Sequence, residues 1–268
     1  MKKIAVVTGA SSGIGKQTAF QLQRAGYQVI GGARHINDSE LNSMGIITRS
    51  LDITDPESNQ AFANAVLSRF HRIDLIVNSA GYGLFGALEE VDSDAAKHQL
   101  DVNVFGTMDL TRRFIPTMRS QGFGRIINVS SLAGQSYTQL AGWYHVSKHA
   151  LETMSDVLRL ELAPFGLQVV IVEPGITKTN WANVTNQLLL KTTKPDSPYR
   201  RLAEKQAQTI TQASQTAEEV AQIITKAALS KHPKIRYQIT RTDRIMMHLS
   251  SPKLGYRLQD WFAKRMMN

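Results

Sequence analysis

The sequence predicts an α/β fold: a doubly wound, mostly parallel sheet of seven strands with helices on both faces. Three observations carry this. Short apolar, β-branched runs alternate with longer amphipathic segments along most of the chain, the pattern of repeated strand–helix–strand units. Most of the strand candidates are continuous apolar runs, so they are buried on both faces. Right-handed crossovers between parallel strands then place helices on both sides of the sheet.

In order, the apolar runs predict strands at Ile4–Thr8, Gln28–Gly32, Ile46–Ser50, Ile73–Asn78, Arg125–Ser130, Gln168–Glu173 and Ile235–Ile239. The amphipathic stretches predict helices near 13–25, 56–71, 93–121, 142–163, 181–206 and 216–230. Two regions break the rhythm. From Ile176 to about Ala213 no strand is expected, and Lys194-Pro195-Asp196-Ser197-Pro198 reads as a loop. This excursion leaves the carboxyl end of a strand, where open α/β sheets bind ligands, so 176–213 is a candidate substrate lid. The second region, 242–268, reads as one or two short amphipathic helices broken at Ser250-Ser251-Pro252.

Composition narrows the class. At 268 residues and 42% hydrophobic the chain reads as one domain, 1–268. No run of eighteen apolar residues predicts a membrane span. Met1-Lys2-Lys3 before Ile4-Ala5-Val6-Val7 has too short an apolar stretch for a signal peptide and reads as the first buried strand. With no cysteine there is no disulfide framework, thiolate metal site or catalytic thiol; no metal is expected, and a cytoplasmic enzyme fits. The net charge is +9, but Lys231 to Asn268 holds nine Lys/Arg against two acids. The basicity therefore belongs mainly to the tail and does not predict nucleic-acid binding.

The residues that carry chemistry begin with Tyr144 and Lys148, four apart in Trp143-Tyr144-His145-Val146-Ser147-Lys148, with Ser131 thirteen residues upstream. A phenol titrates near pH ~10 and is a poor acid or base at neutrality. A lysine one helical turn away shares its face and, by its charge, favours the phenolate. A serine hydroxyl from another segment can hydrogen-bond a reacting oxygen. Together they suit proton transfer at an alcohol or carbonyl. The alternative reading is an amphipathic helix with a buried Tyr and an exposed Lys.

A second motif, Thr8-Gly9-Ala10-Ser11-Ser12-Gly13-Ile14-Gly15, follows the first strand and opens a helix. Gly9, Gly13 and Gly15 permit tight turning and close approach of the backbone to a pyrophosphate at the helix N-terminus. The alternative is a plain strand–helix turn.

With these residues and four further segments, the chain resembles the short-chain dehydrogenase/reductase family, in its single-domain, Rossmann-like subgroup. Thr8-Gly9 to Gly15 resembles the family's cofactor turn. Asn78-Ser79-Ala80-Gly81 resembles its Asn-Asn-Ala-Gly element, with Ser79 departing at the second position. Asn103 in Val102-Asn103-Val104-Phe105-Gly106 matches its asparagine, and Ser131, Tyr144 and Lys148 match its serine, tyrosine and lysine. Pro174-Gly175 to Thr179 resembles the segment that closes over the nicotinamide. The match covers about residues 3–180. The stretch Ala80 to Gly86 looks most like members of 17β-hydroxysteroid-dehydrogenase type.

The resemblance implies roles. Tyr144 is the general acid in reduction and general base in oxidation. Lys148 lowers its pKa and hydrogen-bonds the nicotinamide ribose. Ser131 orients the substrate oxygen, and Asn103 holds a water that links Lys148 to solvent. Ser130, next door on a strand, points the other way. The implied cofactor site comprises Gly9, Ser11, Ser12, Gly13, Ile14, Gly15, Arg34, Asp52, Ile53, Asn78, Ala80, Gly81, Tyr144, Lys148, Pro174, Gly175 and Thr179. Asp52-Ile53 resembles the pair that contacts adenine, although Asp52 also reads as a helix cap.

Cofactor choice follows from the end of the second strand. An NAD site places an acid there for the ribose 2′-hydroxyl. This chain has Ala33 in that position and Arg34 after it. A small residue leaves room for a 2′-phosphate and a guanidinium can hold it, so NADP(H) is expected; the alternative is a solvated Arg34. Tyr82, Leu84, Phe85, Leu140, Trp143 and Trp181 flank the motifs and suggest a small-molecule substrate with an apolar body, such as a steroid, retinoid or acyl compound. The helix near 142–163 resembles one used for subunit contact, which implies a homo-oligomer, dimer or tetramer. The basic tail, with Trp261-Phe262, offers contact with a membrane surface, the substrate mouth or a neighbouring subunit. Competing readings are an NADP-binding regulatory protein without turnover and a nucleotide-sugar epimerase.

Overall fold

The computed structural model describes residues 2–245, save Asn37, Arg241 and Arg244. Seven parallel strands form the central sheet: β1 (Ile4–Thr8), β2 (Gln28–Ala33), β3 (Ile47–Ser50), β4 (Leu75–Asn78), β5 (Gly124–Val129), β6 (Leu167–Glu173) and, at the far edge, β9 (Arg236–Gln238). Their order is β3-β2-β1-β4-β5-β6-β9. The predicted α/β architecture is therefore observed. The two-residue alternation of β1 shows why its run is apolar throughout. Ala5 and Val7 enter one core cluster, while Ile4 and Val6 enter the cluster on the opposite face.

Helices cover both faces. On one side α1 (Gly13–Arg24) packs with α9 (Ala217–Leu229), and Leu22, Val220 and Ile224 are wholly buried there. On the other lie α3 (Pro56–Phe70), α5 (Thr107–Gln121) and α6 (Gly142–Leu162), burying Phe62, Phe114 and Leu158. Local chemistry sets their ends. Asp55 caps α3 by accepting from Glu57 N at 2.9 Å, with Pro56 in the first turn. Thr216 and Glu219 form a capping box at the start of α9.

Four local expectations are corrected. The predicted helix over 93–121 is α4 (Ser93–Leu100) and α5 joined by a wide π-helical turn, Asp101–Gly106. Amphipathic periodicity does not register one extra residue in a turn. The predicted helix over 181–206 is split into α7 (Trp181–Thr192) and α8 (Arg200–Ile210) around Pro195 and Pro198, whose missing N–H groups cannot continue it. The 176–213 excursion is not free of strand, because β7 (Thr177–Lys178) pairs in parallel with β8 (Gln215–Thr216) and closes its base. A short helix, α2 (Ser39–Ser43), stands where none was expected, started by Asp38 accepting from Glu40 N and Leu41 N. Nearly all of the predicted basic tail, from Met246 on, lies outside the described residues.

No described helix is long and apolar enough to cross a membrane. The strand order reverses between β1 and β4, which opens a crevice at the carboxyl ends of the strands. Apart from Asn78, the last residue of β4, the candidate site residues lie in loops and helices.

Candidate active site

The glycine turn is built to meet the crevice. Gly9 has φ +67°, and a Cβ on it would lie 3.0 Å from the backbone of Ala80. Only glycine lets the β1–α1 turn press against the β4 loop in this way. Thr8 Oγ1 locks the two together by accepting from Ser79 N and Ala80 N, each at 3.0 Å. The N-cap residue of α1, Ser12, makes no side-chain cap, and no acid occupies the first turn. The first N–H groups and the positive end of the helix are thus left for an anion. Ser11 and Ser12 are exposed and Ile14 packs inward. A dinucleotide pyrophosphate fits this cradle.

The residues expected at the adenosine end lie beside and just beyond β2. Ala33 is half-buried and Arg34 is exposed. Arg34's charge helps hold the Asp52 carboxyl below its ordinary range, behind the stronger effect of bonds from Thr54, whose N and Oγ1 donate to Asp52 Oδ1 at 3.0 and 2.7 Å. Asp52 therefore closes a small turn, and the helix-cap reading is overturned, since Asp55 caps α3. Ile53 is buried. Lys16 of α1 is tied to Asp38 at 2.7 Å and Glu40 at 2.9 Å, which pins α2 along this rim.

Asn78 departs from its expected place. Its side chain is buried, donating to Thr111 Oγ1 at 2.9 Å and Asn128 Oδ1 at 2.8 Å. It joins β4 to β5 and α5, and the segment that faces the crevice is the exposed Gly81 that follows.

Ser131, Tyr144 and Lys148 converge. Ser131 ends the β5 loop, accepts from Ala133 N at 3.2 Å and lies 3.4 Å from the carbonyl of Pro174. Its hydroxyl draws the Tyr144 phenol's pKa down. Burial acts more strongly and pushes Tyr144 up to about 12. Lys148 Nζ sits 5.9 Å from the Tyr144 ring centroid and donates to Val129 O at 2.9 Å. Burial lowers its pKa to about 8. The expectation that the lysine charge lowers the phenol's pKa is therefore corrected, since burial and Ser131 are the causes that act on it. Desolvation is the larger effect at both groups. Ser130 is buried and turned away, as the strand alternation requires.

Asn103 sits in the π-helical turn. It donates to Tyr82 O at 3.1 Å and Ser147 Oγ at 3.0 Å, and accepts from Tyr82 N at 3.2 Å. Its contacts tie the Gly81–Tyr82 loop to α6. The Gly81 Cα carries no side chain where a Cβ would lie 3.1 Å from Asn103 Oδ1 and 3.9 Å from Lys148 Nζ, so Asn103 and Lys148 share one corner. Gln99, missed in the sequence, completes that loop. It is wholly buried, accepts from Leu84 N at 2.6 Å and donates to Tyr82 O at 2.9 Å. A glutamine in a polar helix gives no signal of this.

The 176–213 segment covers the pair. Gly13 has φ +53°, and a Cβ there would lie 3.2 Å from Thr179, so the segment after Pro174-Gly175 reaches the glycine turn. Trp181 lies tilted at 5.5 Å from Tyr144 and edge-on at 6.0 Å from Phe85, centroid to centroid. Phe85, Leu140, Leu189, Ala203 and Ile210 form one apolar cluster with Tyr144. Of the predicted lining residues, Leu84 is buried, Tyr82 is half-buried against His98, and Trp143 lies outside this cluster.

Beneath the site lies a buried ionic group that the sequence did not disclose. Glu173, the last residue of β6, accepts from Gln135 and Gln238 and lies 3.4 Å from Arg236. Arg236 also pairs with Glu152 at 3.1 Å and with Asp156. Burial, then the charge of Glu152, pushes Glu173 up to about 7. Among the described residues no cluster of acids and histidines can hold a metal ion.

Comparison with known proteins identifies the family. Residues 3–188 match the family model described as short chain dehydrogenase. A probable short-chain type dehydrogenase/reductase of Helicobacter pylori is 35% identical over 251 residues, covering 92% of this chain and 91% of that one. A 3-ketodihydrosphingosine reductase of Bacteroides thetaiotaomicron is 34% identical over 184 residues, 69% of this chain and 67% of its own. The crystal structure of a short-chain dehydrogenase from Streptomyces avermitilis superposes with a TM-score of 0.84 at 30% identity, covering 99% and 98% of the two chains.

Proposed function

The chain belongs to the short-chain dehydrogenase family, and from that premise we propose that it moves a hydride between NADP(H) and the carbonyl or secondary-alcohol carbon of an apolar substrate. The observation that carries this reading is the convergence of Ser131, Tyr144 and Lys148 beside the glycine cradle. When bound, the cofactor supplies or accepts the hydride. The protein supplies the proton and the placement.

In the direction of reduction, Tyr144 Oη donates its proton to the substrate oxygen as negative charge develops there. A phenol held near 12 remains protonated at neutral pH, so it is poised as the acid. Ser131 Oγ directs a second hydrogen bond to the same oxygen. Lys148, charged below about pH 8, sits one helical turn behind the phenol and stabilises the phenolate left after transfer. Asn103 acts through contacts, holding the Tyr82 loop against α6. In oxidation the same groups run in reverse.

Ala33 and Arg34 support NADP(H). No carboxylate at residue 33 repels a 2′-phosphate, and an exposed guanidinium stands next to it. The apolar cluster of Phe85, Leu140 and Leu189 around Tyr144 supports an apolar substrate, whether acyl, retinoid or steroid. The relative named as a 3-ketodihydrosphingosine reductase fits a ketone-bearing substrate of that kind. Exposed Val146, Val157 and Leu160 on α6 support self-association through that helix. Light scattering that finds only monomer at micromolar concentration would remove the oligomer.

The test is a panel of aldehydes, ketones and secondary alcohols of increasing chain length, with NADPH and NADH, followed at the nicotinamide absorbance. Turnover with NADPH that improves with apolar length is expected. A panel without turnover, or equal turnover by Tyr144→Phe, overturns the proposal.

A further inference from the structure

His145 follows Tyr144 on α6 and is buried. Both ring nitrogens are engaged, and both partners lie on the segment that runs from Ser131 to Ala141. Nδ1 lies 2.9 Å from the carbonyl of Ala133. Nε2 lies 3.0 Å from the backbone N of Thr138 and 3.1 Å from its hydroxyl. A peptide N–H can only donate, so Nε2 must carry a lone pair. The Ala133 carbonyl can only accept, so the proton sits on Nδ1. The geometry therefore selects one neutral tautomer.

This segment links Ser131 to the start of the helix that carries Tyr144. It has few other ties. Leu132 N donates to Pro174 O at 3.0 Å, Ser136 Oγ donates to Leu132 O at 2.9 Å, and Leu140 O accepts from Gly86 N at 2.7 Å. Leu140 holds φ +59°, an uncommon conformation for a residue with a side chain, so the segment ends in a strained corner. Gly134 packs against Glu152 of α6, where a Cβ would lie 2.8 Å from the Glu152 side chain, and the His145 imidazole adds hydrogen bonds that fasten both Ala133 and Thr138 to the helix that carries Tyr144.

We propose that His145 is a positioning residue for the reaction: as the neutral Nδ1–H tautomer it clamps the Ala133–Thr138 turn to α6 and thereby sets Ser131 Oγ against Tyr144 Oη. The inference rests on the reading of Ser131 and Tyr144 as the reacting pair. A second proton, on Nε2, would face the Thr138 N–H and must turn to the Thr138 hydroxyl or the Ser136 carbonyl, and the Thr138 N–H then loses its acceptor. The clamp is therefore released by acid.

The groups facing the ring are few. On its own helix they are His149, with centroids 6.5 Å apart, and Tyr144 at 6.4 Å. On the facing segment the one ionisable side chain between Ser131 and Ala141 is Tyr137. Among the described residues no carboxylate pairs with the ring. Burial, the largest effect, holds His145 below its ordinary value. The carbonyls of Ala133 and Ser136 oppose that, and His149 reinforces it. The clamp is closed at neutral pH and opens below the ordinary histidine range.

The experiment has two arms. In the first, long-range 15N–1H correlation spectra of the 15N-labelled protein report the His145 tautomer and its titration, while amide exchange reports Thr138. The Nδ1–H form is expected, with Thr138 exchange rising at least tenfold through the same titration. An Nε2–H tautomer, or Thr138 exchange indifferent to the ring's protonation, overturns the clamp. The second arm compares kcat/KM against pH for wild type, His145→Gln and His145→Phe, with NADPH fluorescence titration as the check that each variant is folded. Gln carries a donor and an acceptor but does not titrate. It is expected to keep activity within about threefold at pH 7.5 and to lose the acid limb of wild type, while Phe falls at least tenfold at every pH. An unchanged acid limb in the Gln variant, or full activity in the Phe variant, overturns the positioning role. The expected spectra with no turnover on any substrate would support the clamp and overturn the oxidoreductase reading instead.

Discussion

Lys148 Nζ lies 5.9 Å from the centroid of the Tyr144 ring and spends a hydrogen bond on the carbonyl of Val129 at 2.9 Å. The lysine is thus anchored to the end of β5, within reach of the corner formed by Gly81 and Asn103. Its burial lowers its pKa from 10.5 to about 8. Between those values the unfolded chain binds a proton that the folded protein lacks, so this group makes stability rise with pH across about 8 to 10.5. Lys148→Met removes the dependence. The midpoint of thermal unfolding of wild type, relative to Lys148→Met, is expected to climb over that window. A constant difference between the two would show that Lys148 is not desolvated.

Tyr144→Phe removes one oxygen from a buried site. The phenol is kept neutral by burial, so its loss should cost little stability, while the reaction loses its proton donor. The rate constant kcat is expected to fall about 100- to 10,000-fold. NADPH affinity, read by quenching of protein fluorescence, should stay within about threefold. A comparable loss in both measurements would mean that the substitution disturbs the cofactor site rather than the proton transfer.

Arg34→Ala addresses the cofactor. The guanidinium is exposed and its side chain has no structural task in β2, so folding should be unaffected. A charge-assisted bond to phosphate contributes roughly 1.5–3 kcal/mol, which corresponds to a ten- to hundredfold loss of NADPH affinity. The KM for NADH should not change. An NADPH/NADH preference that survives the substitution would overturn the NADP(H) assignment.

Trp181→Ala opens the cover over Tyr144. The indole stands 5.5 Å from that ring and 6.0 Å from Phe85. Losing it should raise KM for long apolar substrates at least tenfold and leave the shortest ones nearly unchanged, since only the former need the wall. Equal effects along a chain-length series would place Trp181 outside the substrate path.

Much of the fold was legible because burial on both faces leaves a continuous apolar record, as in Ile4–Thr8 and Leu167–Glu173. Ser131, Tyr144 and Lys148 were legible because few residue types can do proton transfer, and helical spacing joins two of them. What was not legible depends on partners far away in the chain. Nothing local marks Gln99 as the brace of the Tyr82 loop, or Asn78 as a bolt between β4 and α5. The π-helical turn at Asn103 preserves the apolar pattern while changing where side chains point. Arg236 read as one more basic residue near a basic tail, yet it holds Glu152 and Glu173 beneath the site.

That buried group gives the last prediction. Glu173 has no exposed surface, and burial, followed by the charge of Glu152, raises its pKa from 4.5 to about 7, against the pull of Arg236, Gln238 and Gln135. Between pH 4.5 and 7 the folded protein therefore holds a proton that the unfolded chain has released. By linkage, stability contributed at low pH is lost as pH rises through that window. Glu173→Gln replaces the protonated acid with a neutral amide of the same shape. It retains an acceptor for one of the two glutamines. The variant should match wild type near pH 5 and exceed it near pH 8, in urea unfolding at both values. Because Glu173 directly precedes Pro174-Gly175, the same comparison also reads the proposed nicotinamide clasp. If the clasp needs the carboxylate's charge, NADPH affinity at pH 8 falls in the stabilised variant. If it needs only the shape, affinity is unchanged and the strut is purely structural. A variant less stable than wild type at pH 8 would show that Arg236 holds Glu173 ionised, and that its attraction outweighs both burial and Glu152.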